Sequence, residues 1–203
     1  MEPEGRFINY VNVQRLTQGT TATIYLAQST YTGAKVALKL FPTGVSPSEA
    51  NPPACDPSRY FDTELEILLD NNCPNIGHLL DFGTTLDEQH QYLALEYVSG
   101  PDLQRATRDS SLETLLNLFL QLAHALGHLH HRGIIHGDLK PANVLVTHSV
   151  TGRARASASL IDFSSARDVT KPLGSFNPCL TVPFAAPELL RTRVPTTASD
   201  LYA

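Results

Sequence analysis

A short stretch in the second half of the chain carries the residue types that a phosphoryl-transfer reaction requires. The octet His136-Gly137-Asp138-Leu139-Lys140-Pro141-Ala142-Asn143 offers a carboxylate, a cation and an amide, and Leu160-Ile161-Asp162-Phe163 adds a second carboxylate. Such a reaction needs a carboxylate at the attacking hydroxyl, a cation on the moving phosphate, and an amide and a carboxylate on magnesium. The sequence therefore predicts a phosphoryl-transfer site.

Composition excludes several other classes of function. The 203 residues are 42% hydrophobic and 17% charged, which is typical of a globular domain large enough for a real core. Fifteen Lys and Arg stand against twenty Asp and Glu, for a formal charge of -5. This balance indicates neither a nucleic-acid-binding surface nor a polybasic membrane anchor.

Cysteine usage and hydropathy indicate the compartment. Cys55, Cys73 and Cys179 lack C-x-x-C spacing, which argues against a disulfide framework or a zinc site and fits a reducing environment. The longest apolar stretch, residues 112–129, is interrupted by polar side chains, and we see no signal peptide or transmembrane span. We expect a cytoplasmic protein with no membrane partner.

The first part of the chain is rich in strands and has one helix. Residues 34–41 alternate so that Val36, Leu38 and Leu40 share one face, while Lys39 lies on the other face. A lysine on a half-buried face needs an anionic partner. Asp56-Pro57 predicts a helix start, and Glu64 flanks the apolar stripe of that helix, placed to reach inward.

The second part is rich in helices. Residues 92–98 predict a strand that Ser99-Gly100-Pro101-Asp102 ends, and we place the lobe boundary there. Ser110 and Glu113 predict a capping box, and Gly133 predicts the end of the helix. Residues 143–147 and 159–161 predict a hairpin, with 151–158 as an exposed loop. The helix predicted between Ser110 and Gly133 has an apolar face that we expect in the core, made of Leu112, Leu115, Leu116, Phe119, Leu122, Ala123, Leu126 and Leu129.

The octet and Leu160-Ile161-Asp162-Phe163 resemble the catalytic loop and the metal-binding motif of the eukaryotic-type protein kinases. The resemblance covers essentially the whole chain. Val36-Ala37-Leu38-Lys39 resembles the strand lysine motif, and Ala186-Pro187-Glu188 resembles the end of the activation segment, preceded by Thr181. Further matching segments are Cys73-Pro74-Asn75-Ile76, the hinge Leu95-Glu96-Tyr97-Val98, and Ser199-Asp200 at the start of the central helix.

This resemblance implies a bilobal α+β fold. Residues 1–98 would form an N-lobe with a small antiparallel sheet and one helix, and residues 99–203 a mainly helical, incomplete C-lobe. The chain stops at Ala203, near the start of the helix that would be central to that lobe. We therefore expect either a fragment of a longer chain or a truncated relative, with a missing C-terminal segment or a partner covering the lobe.

The resemblance also implies the role of each site residue. Asp138 would accept or orient the substrate hydroxyl, Lys140 would touch the γ-phosphate of ATP, and Asn143 and Asp162 would hold Mg²⁺. Lys39, paired with Glu64, would orient the α- and β-phosphates. The implied nucleotide site is lined by Leu16, Gly19, Ile24, Ala37, Lys39, Glu96, Val98, Asp102, Leu145 and Asp162.

The expected function is a serine/threonine protein kinase, but three positions depart from the family pattern. Thr17 and Ala22 replace two glycines of the phosphate-binding loop, which predicts weaker nucleotide binding. Gly137 replaces an arginine that commonly pairs with a phosphorylated activation loop. Ser164 replaces the glycine after Asp162-Phe163 and should limit backbone freedom there. None of these changes removes a catalytic group.

Two other functions remain open from the sequence. His-Gly-Asp with a downstream Asn also resembles the kinase-like phosphotransferases that modify aminoglycosides and choline, although Lys140, Thr181 and the Ala-Pro-Glu motif favour a protein substrate. The second alternative is a pseudokinase that binds nucleotide as a scaffold, because the glycine loop is depleted.

Overall fold

The computed structural model describes residues 7–19, 21–43, 57–147, 156–172 and 180–203 of the chain. They form two compact units. The first unit comprises the described residues up to Asp70 together with His78–Tyr97, and the second comprises Asn71–Gly77 and the described residues from Val98 to Ala203. The assignment of domains to residues 1–98 and 99–203 stays a prediction.

A five-stranded antiparallel sheet makes up most of the first unit. The strands are β1 (Tyr10–Gln18), β2 (Thr23–Ser29), β3 (Lys35–Pro42), β4 (Leu79–Thr84) and β5 (His90–Glu96), and they lie in the order β1-β2-β3-β5-β4. The strand predicted at 34–41 is confirmed as β3, shifted by one residue. The strand predicted at 92–98 lies instead at His90–Glu96. The backbone N–H groups of Thr43 and Thr85 donate to the carbonyls of Gln89 and His90, and these bonds extend the strand pairing toward the N-terminal end of β5.

The sheet curls so strongly that its two edge strands meet. β1 and β4 lie at opposite ends of the strand order, yet the Tyr10 hydroxyl donates to Asp81 Oδ2 at 2.8 Å. Tyr92 donates to the same oxygen at 3.3 Å. Burial and the nearby Asp81 charge disfavour the phenolate, so they raise the pKa of Tyr92 to about 12 and also raise the pKa of Tyr10. The curled interior contains Phe7, Tyr10, Val13, Ala27, Val36, Leu38, Leu40, Tyr92 and Ala94.

The opposite face of β3 packs against the one helix of this unit, α1 (Pro57–Leu69). Phe41 and Phe61 meet edge to face, with ring centroids 5.7 Å apart. The predicted start at Pro57 is confirmed, and the predicted cap Asp56 lies outside the described residues. Because alternate residues of β3 face the curled interior, Lys39 faces α1, as the alternation predicts.

The second unit is mainly helical. Its helices are α2 (Leu103–Thr107), α3 (Leu112–His131), α4 (Pro187–Thr192) and α5 (Thr197–Tyr202). Two small antiparallel sheets pair β6 (Ile134–Ile135) with β9 (Arg167–Asp168) and β7 (Val144–Thr147) with β8 (Ser157–Leu160). The 3₁₀ turns lie at Pro141–Asn143 and Val182–Phe184. The predicted hairpin is confirmed, but β8 begins inside the predicted loop at Ser157.

The N-terminus of α3 differs from the prediction by one residue. Ser111 caps the helix, accepting from the Thr114 N–H at 3.2 Å, so the predicted capping box of Ser110 and Glu113 is wrong. The Ser110 hydroxyl instead donates to the Ala106 carbonyl at the end of α2. Gly133, with φ +75°, follows the end of α3, as predicted.

The buried face of α3 also differs from the prediction. Its buried residues are Leu118, Leu122, Ala125, Leu126 and Leu129. Leu112, Leu116 and Phe119 are 71%, 56% and 58% exposed, although we predicted them in the core. Apolar residues occur around most of this helix, so periodicity alone does not decide which face is covered. No helix in the part of the chain described here is both long and apolar enough to cross a bilayer.

The segment Asn71–Gly77 packs with the second unit although the residues on both sides of it belong to the first. Gly77 N donates to Leu160 O, and Leu160 N donates to Asn75 O. The Asn75 side chain also donates to Gln121 Oε1 at 2.9 Å and to the Ala158 carbonyl at 2.8 Å. These bonds fix the segment to β8 and α3.

Candidate active site

In the first unit, the structure brings Lys39 and Glu64 together. Lys39 Nζ lies 2.6 Å from Glu64 Oε2, and the two side chains are 6% and 0% exposed. The ammonium group also lies 5.5 Å from the centroid of the Phe41 ring. Charge-assisted bonds of this length are strong, and burial keeps water from competing for them. The predicted pairing of the strand lysine with the helix acid is present.

The predicted phosphate-binding loop joins β1 to β2. Its central glycine, Gly19, donates its N–H to the Ala22 carbonyl at 2.9 Å. Ile24 pairs with Lys39 across β2 and β3, so these side chains share a face with Ala37 two residues away. Leu16 lies in a register irregularity between Arg15 and Thr17 and is 48% exposed. Thr20 lies outside the described residues.

The predicted hinge and ribose residues are divided between the units. Glu96 ends β5 in the first unit, and its N–H donates to the His78 carbonyl. Val98 and Asp102 belong to the second unit, where Asp102 caps α2 by accepting from Arg105 N at 2.9 Å. Asp102 also forms a backbone bridge with Leu145 on β7, which brings these two predicted nucleotide-binding residues together.

In the second unit, Asp138 lies at the centre of a hydrogen-bonded network. Lys140 Nζ lies 2.5 Å from Asp138 Oδ2 and donates to Thr181 Oγ1 at 2.8 Å. Thr181 N donates to Asp138 Oδ1 at 3.0 Å, so both carboxylate oxygens are held. The Asn143 amide donates to the Asp138 carbonyl at 2.9 Å. The octet and a residue 41 positions further along the chain therefore form one site.

A buried aspartate on α5 fixes the backbone that precedes Asp138. Asp200, 2% exposed, accepts from His136 N at 2.8 Å and from Gly137 N at 2.9 Å. The His130 ring lies 2.9 Å from the same carboxylate. On the other side of the loop, the His136 and Phe163 rings have centroids 5.2 Å apart. The carboxylate on α5 thus ties the loop to two helices.

Gly137 is required by space and by backbone conformation. Its φ is +79°, and a Cβ at this position would lie 2.5 Å from the Ser165 carbonyl oxygen. L-amino acids with side chains rarely adopt this conformation, and the contact would force the loop apart. From the sequence we interpreted Gly137 as a lost arginine and as part of the His-Gly-Asp motif. The structure adds that this glycine lets two segments of the site approach closely.

Asp162 adopts an uncommon backbone conformation for a residue with a side chain, with φ +66°. The preceding residue, Ile161, donates its N–H to the Asn143 carbonyl at 2.9 Å, which joins the two segments that carry the predicted metal ligands. The Ser164 hydroxyl donates to Asp162 Oδ1 at 2.7 Å, and Ser164 N lies 3.4 Å from the same oxygen. From the sequence we interpreted Ser164 as limiting backbone freedom and did not predict its bond to Asp162.

Known proteins match the chain over nearly its full length. The family model "Protein kinase domain" matches residues 10–203. Sperm motility kinase 2B of Mus musculus is 32% identical over 188 residues, covering 91% of this chain and 35% of that protein. Serine/threonine-protein kinase pkn2 of Myxococcus xanthus is 30% identical over 195 residues, covering 93% and 22%. The probable serine/threonine-protein kinase KIN1 homolog of Encephalitozoon cuniculi is 30% identical over 196 residues, covering 93% and 32%.

This chain therefore spans between 22% and 35% of the length of those three relatives. Its antiparallel sheet with one helix, followed by a mainly helical unit, is the predicted bilobal α+β fold. The family match extends across both units and includes every residue of the Asp138 network and the Lys39–Glu64 pair. Together, the fold, the arrangement of these side chains and the family match show that the chain belongs to the protein kinase domain family.

Proposed function

We propose that this chain is the catalytic domain of a serine/threonine protein kinase, which transfers the γ-phosphate of ATP to a protein hydroxyl. The observation that carries the proposal is the network of Asp138, Lys140 and Thr181 in the second unit. It holds a carboxylate and a cation at a partly exposed position, where both can meet a substrate. The reaction needs these two groups at the attacking hydroxyl and at the transferred phosphate.

The network gives each of its members a task. Thr181 N and Lys140 Nζ each hold one oxygen of Asp138, which fixes the carboxylate plane for a substrate hydroxyl. A Ser or Thr hydroxyl bonded to Asp138 would be oriented for attack and would lose its proton toward that carboxylate. Lys140 would balance the charge of the transferred phosphoryl group. Positioning and charge, rather than a covalent intermediate, would supply the rate enhancement.

The predicted magnesium ligands fit the cation in their chemistry. The Asn143 nitrogen is engaged by the Asp138 carbonyl, so its oxygen is the atom that remains to ligate a cation. Asp162 supplies a carboxylate on the neighbouring segment. Mg²⁺ prefers oxygen ligands and commonly takes one or two carboxylates plus substrate phosphates. When bound, the cation would neutralise charge on the phosphates. Among the described residues, no group of three or more His, Cys, Asp or Glu side chains could hold a metal ion.

The first unit would hold the nucleotide through Lys39 and the loop between β1 and β2. Glu64 keeps the Lys39 ammonium at a fixed position on β3, where it would orient the α- and β-phosphates. Ile24 and Ala37 share its face and would supply an apolar surface for the base. Glu96, Val98, Asp102 and Leu145 remain proposed nucleotide contacts, as do Leu16 and Gly19.

A nucleotide-binding scaffold is the second candidate, and one observation favours it. The Gly19 N–H is bonded to the Ala22 carbonyl, so this loop donor is already used within the protein. Phosphate binding by such loops relies on backbone N–H groups and close approach. A small-molecule phosphotransferase is the third candidate, but the bond between Lys140 and Thr181 links the catalytic loop to the segment proposed to receive a protein substrate.

The deciding experiment is transfer of labelled γ-phosphate from Mg-ATP by the purified protein. Generic Ser/Thr proteins and aminoglycosides are offered separately, with Asp138→Ala as the inactive variant and exposed Asp109→Ala as the matched control. We expect protein labelling that falls at least about 100-fold in Asp138→Ala only. Label on the aminoglycoside would instead establish a small-molecule kinase. An absence of label, with a Mg-ATP-dependent rise in melting temperature, would establish the scaffold.

Two further properties belong to this proposal. The net charge of -5 and the absence of a membrane-spanning helix in the described ranges give no support for a nucleic-acid or membrane partner, so we propose protein substrates alone. Cys73 is buried and unpaired, which supports a reducing, cytoplasmic location. Fractionation of cells that produce the tagged protein would test the location.

A further inference from the structure

We propose that Ser164 is a positioning residue for Asp162, and that its hydroxyl holds the carboxylate in the orientation that binds a divalent cation. This inference rests on the proposed function, because it concerns the same metal site. It assigns a role to Ser164, which is one of the three positions that depart from the family pattern. From the sequence alone, we interpreted Ser164 only as limiting backbone freedom. Ser164 does not itself contact the cation in this proposal.

The hydroxyl makes the closer of the two contacts from Ser164 to Asp162. The Ser164 Oγ to Asp162 Oδ1 distance is 2.7 Å, within the normal range for a hydroxyl bonded to a carboxylate. The distance from Ser164 N to the same oxygen is 3.4 Å, which is long for an N–H donor. A glycine at this position would keep only the longer contact. The constraint that Ser164 places on the carboxylate therefore comes mainly from its side chain.

The backbone conformation of Asp162 makes this constraint useful. A φ of +66° costs a residue with a side chain about 1 kcal/mol or more, and Asp tolerates it because its short side chain can bond locally. The bond from Ser164 is such a local bond. It restrains the orientation of the carboxylate, so fewer alternatives must be excluded when a cation binds.

The residues after Asp162 are already fixed by packing. Phe163, Ser165 and Ala166 are 1%, 4% and 1% exposed, and Ala166 N donates to the Phe163 carbonyl at 3.0 Å. The Phe163 ring also packs against His136. The backbone that carries Ser164 is thus held on its C-terminal side. Its hydroxyl is anchored to a rigid turn and can act as a fixed donor to Asp162.

The chain contains a matched example outside the site. Asp168 and Thr170 have the same spacing, and Thr170 Oγ1 and N donate to Asp168 Oδ1 at 2.6 and 2.9 Å. The example shows that an Asp-x-Ser/Thr segment forms this pair of bonds by local geometry. Because Thr170 is exposed and bonds Asp168 rather than a predicted ligand, its removal controls for the general loss of a hydroxyl–carboxylate bond.

Partners of metal ligands that do not touch the metal typically change metal affinity by about 10- to 100-fold when removed. We therefore expect Ser164→Ala and Ser164→Gly to raise the Kd for Mn²⁺, measured in the presence of saturating ADP, by about 10-fold. Ser164→Thr keeps the hydroxyl and should stay within about 2-fold of the unchanged protein. Thr170→Val should leave the Kd unchanged.

The measurement is a titration of free Mn²⁺ by electron paramagnetic resonance, with metal-free melting curves for each variant. Asp162→Ala, which should abolish binding, tests the metal site separately. Equal Kd values for Ser164→Ala, Ser164→Gly and the unchanged protein, with binding lost in Asp162→Ala, would overturn the role of Ser164 and leave the metal site standing. A Ser164→Thr Kd as weak as that of Ser164→Ala would also overturn it. Mn²⁺ binding that survives Asp162→Ala, or is absent in the unchanged protein, would overturn the metal site and this inference together.

Discussion

The molecule contains two lysine–carboxylate pairs of nearly equal length in different surroundings. Lys39 and Glu64 are 2.6 Å apart and almost fully buried, on a strand and a helix of the first unit. Lys140 and Asp138 are 2.5 Å apart on one loop of the second unit, with side chains 21% and 11% exposed. From distance alone, the two pairs would be expected to contribute equally to stability. Their contributions to stability should differ, since burial sets the cost of leaving one charge alone.

The two pairs also differ in what brings them together. The partners of the buried pair are 25 positions apart in the chain, so the pair exists only when α1 has packed on the sheet. The partners of the loop pair are two positions apart, and Thr181 braces them from a distant segment. The buried pair therefore depends on the fold of the first unit, whereas the loop pair depends on the arrangement of the proposed catalytic residues.

Breaking the buried pair should have the largest effect on stability. Glu64→Ala should lower the free energy of unfolding of the first unit by about 3–5 kcal/mol, because it breaks a buried ion pair and removes the carboxylate that lies 2.6 Å from the Lys39 ammonium. Hydrogen exchange of the β3 amides in urea measures this loss within that unit. The double variant Lys39→Met/Glu64→Leu should recover most of the loss; a double variant as unstable as the single one would contradict the argument.

A change in the backbone beside the loop pair should come next. Gly137→Ala should destabilise the second unit by about 2 kcal/mol, because the new Cβ meets the Ser165 carbonyl and φ is positive. Thermal unfolding followed by circular dichroism would show the loss. Gly127→Ala is the matched control, since nothing lies within 4 Å of its Cβ and alanine favours a helix. If both variants behave alike, the close approach at Gly137 is not a constraint.

Asp81, which accepts from Tyr10 and Tyr92 in the first unit, makes the stability of that unit depend on pH. The pKa of Tyr92 is raised to about 12 in the folded protein, above the unfolded value of 10.0. In the folded protein, the Tyr92 hydroxyl stays protonated to a higher pH than in the unfolded chain. Its contribution to stability is therefore complete below about pH 10 and is lost as pH rises toward 12. We expect a loss of about 1 kcal/mol by pH 11 for the unchanged protein.

Asp81→Asn should reduce this dependence by removing the neighbouring charge. Tyrosinate absorbance near 295 nm, recorded during a pH titration of the folded protein, should then rise at a lower pH than in the unchanged protein. An identical titration curve in Asp81→Asn would show that burial, rather than the carboxylate charge, accounts for the raised pKa of Tyr92. Asp87→Asn, on the exposed turn between β4 and β5, is the matched control.

Breaking the loop pair should have the smallest effect on stability. Lys140→Met should change the free energy of unfolding by less than about 1 kcal/mol, because water can still reach both partners. Phosphoryl transfer should nevertheless fall by about 100-fold or more, because the cation is lost from the reacting centre. Arg105→Ala, which removes an exposed pair with Asp102, should leave stability almost unchanged. Unfolding of Lys140→Met as severe as that of Glu64→Ala would remove the distinction between the pairs.

Short-range patterns predicted much of this structure. The alternation placed Lys39 on the face of its strand opposite the Val36 face, and Asp56-Pro57 placed the start of a helix at Pro57. The octet holds Asp138, Lys140 and Asn143 within one loop, so their proximity follows from the sequence alone. In each case, local geometry decides the outcome before any distant segment is considered.

The sequence predicted the structure less well where contacts with distant segments decide the outcome. Ser110 and Ser111 are both good helix caps, and the end of α2 bonds Ser110, so Ser111 takes the cap. Leu112 and Leu116 looked like core residues because periodicity does not show which face of α3 is covered. The positive φ of Asp162, the predicted ligand that Ser164 bonds, is not revealed by any residue pattern.

The attachment of Asn71–Gly77 to the second unit sets an order of events during synthesis. The chain leaves the ribosome from its N-terminus, so this segment emerges long before β8, to which it bonds. Asn75 must wait for Ala158, 83 positions later, which takes roughly 4–17 s at ordinary rates of translation. Strands β4 and β5 emerge within that interval and can complete the sheet. A nascent chain stalled before β8 would thus contain a complete sheet interrupted by a segment that still lacks its partners on β8.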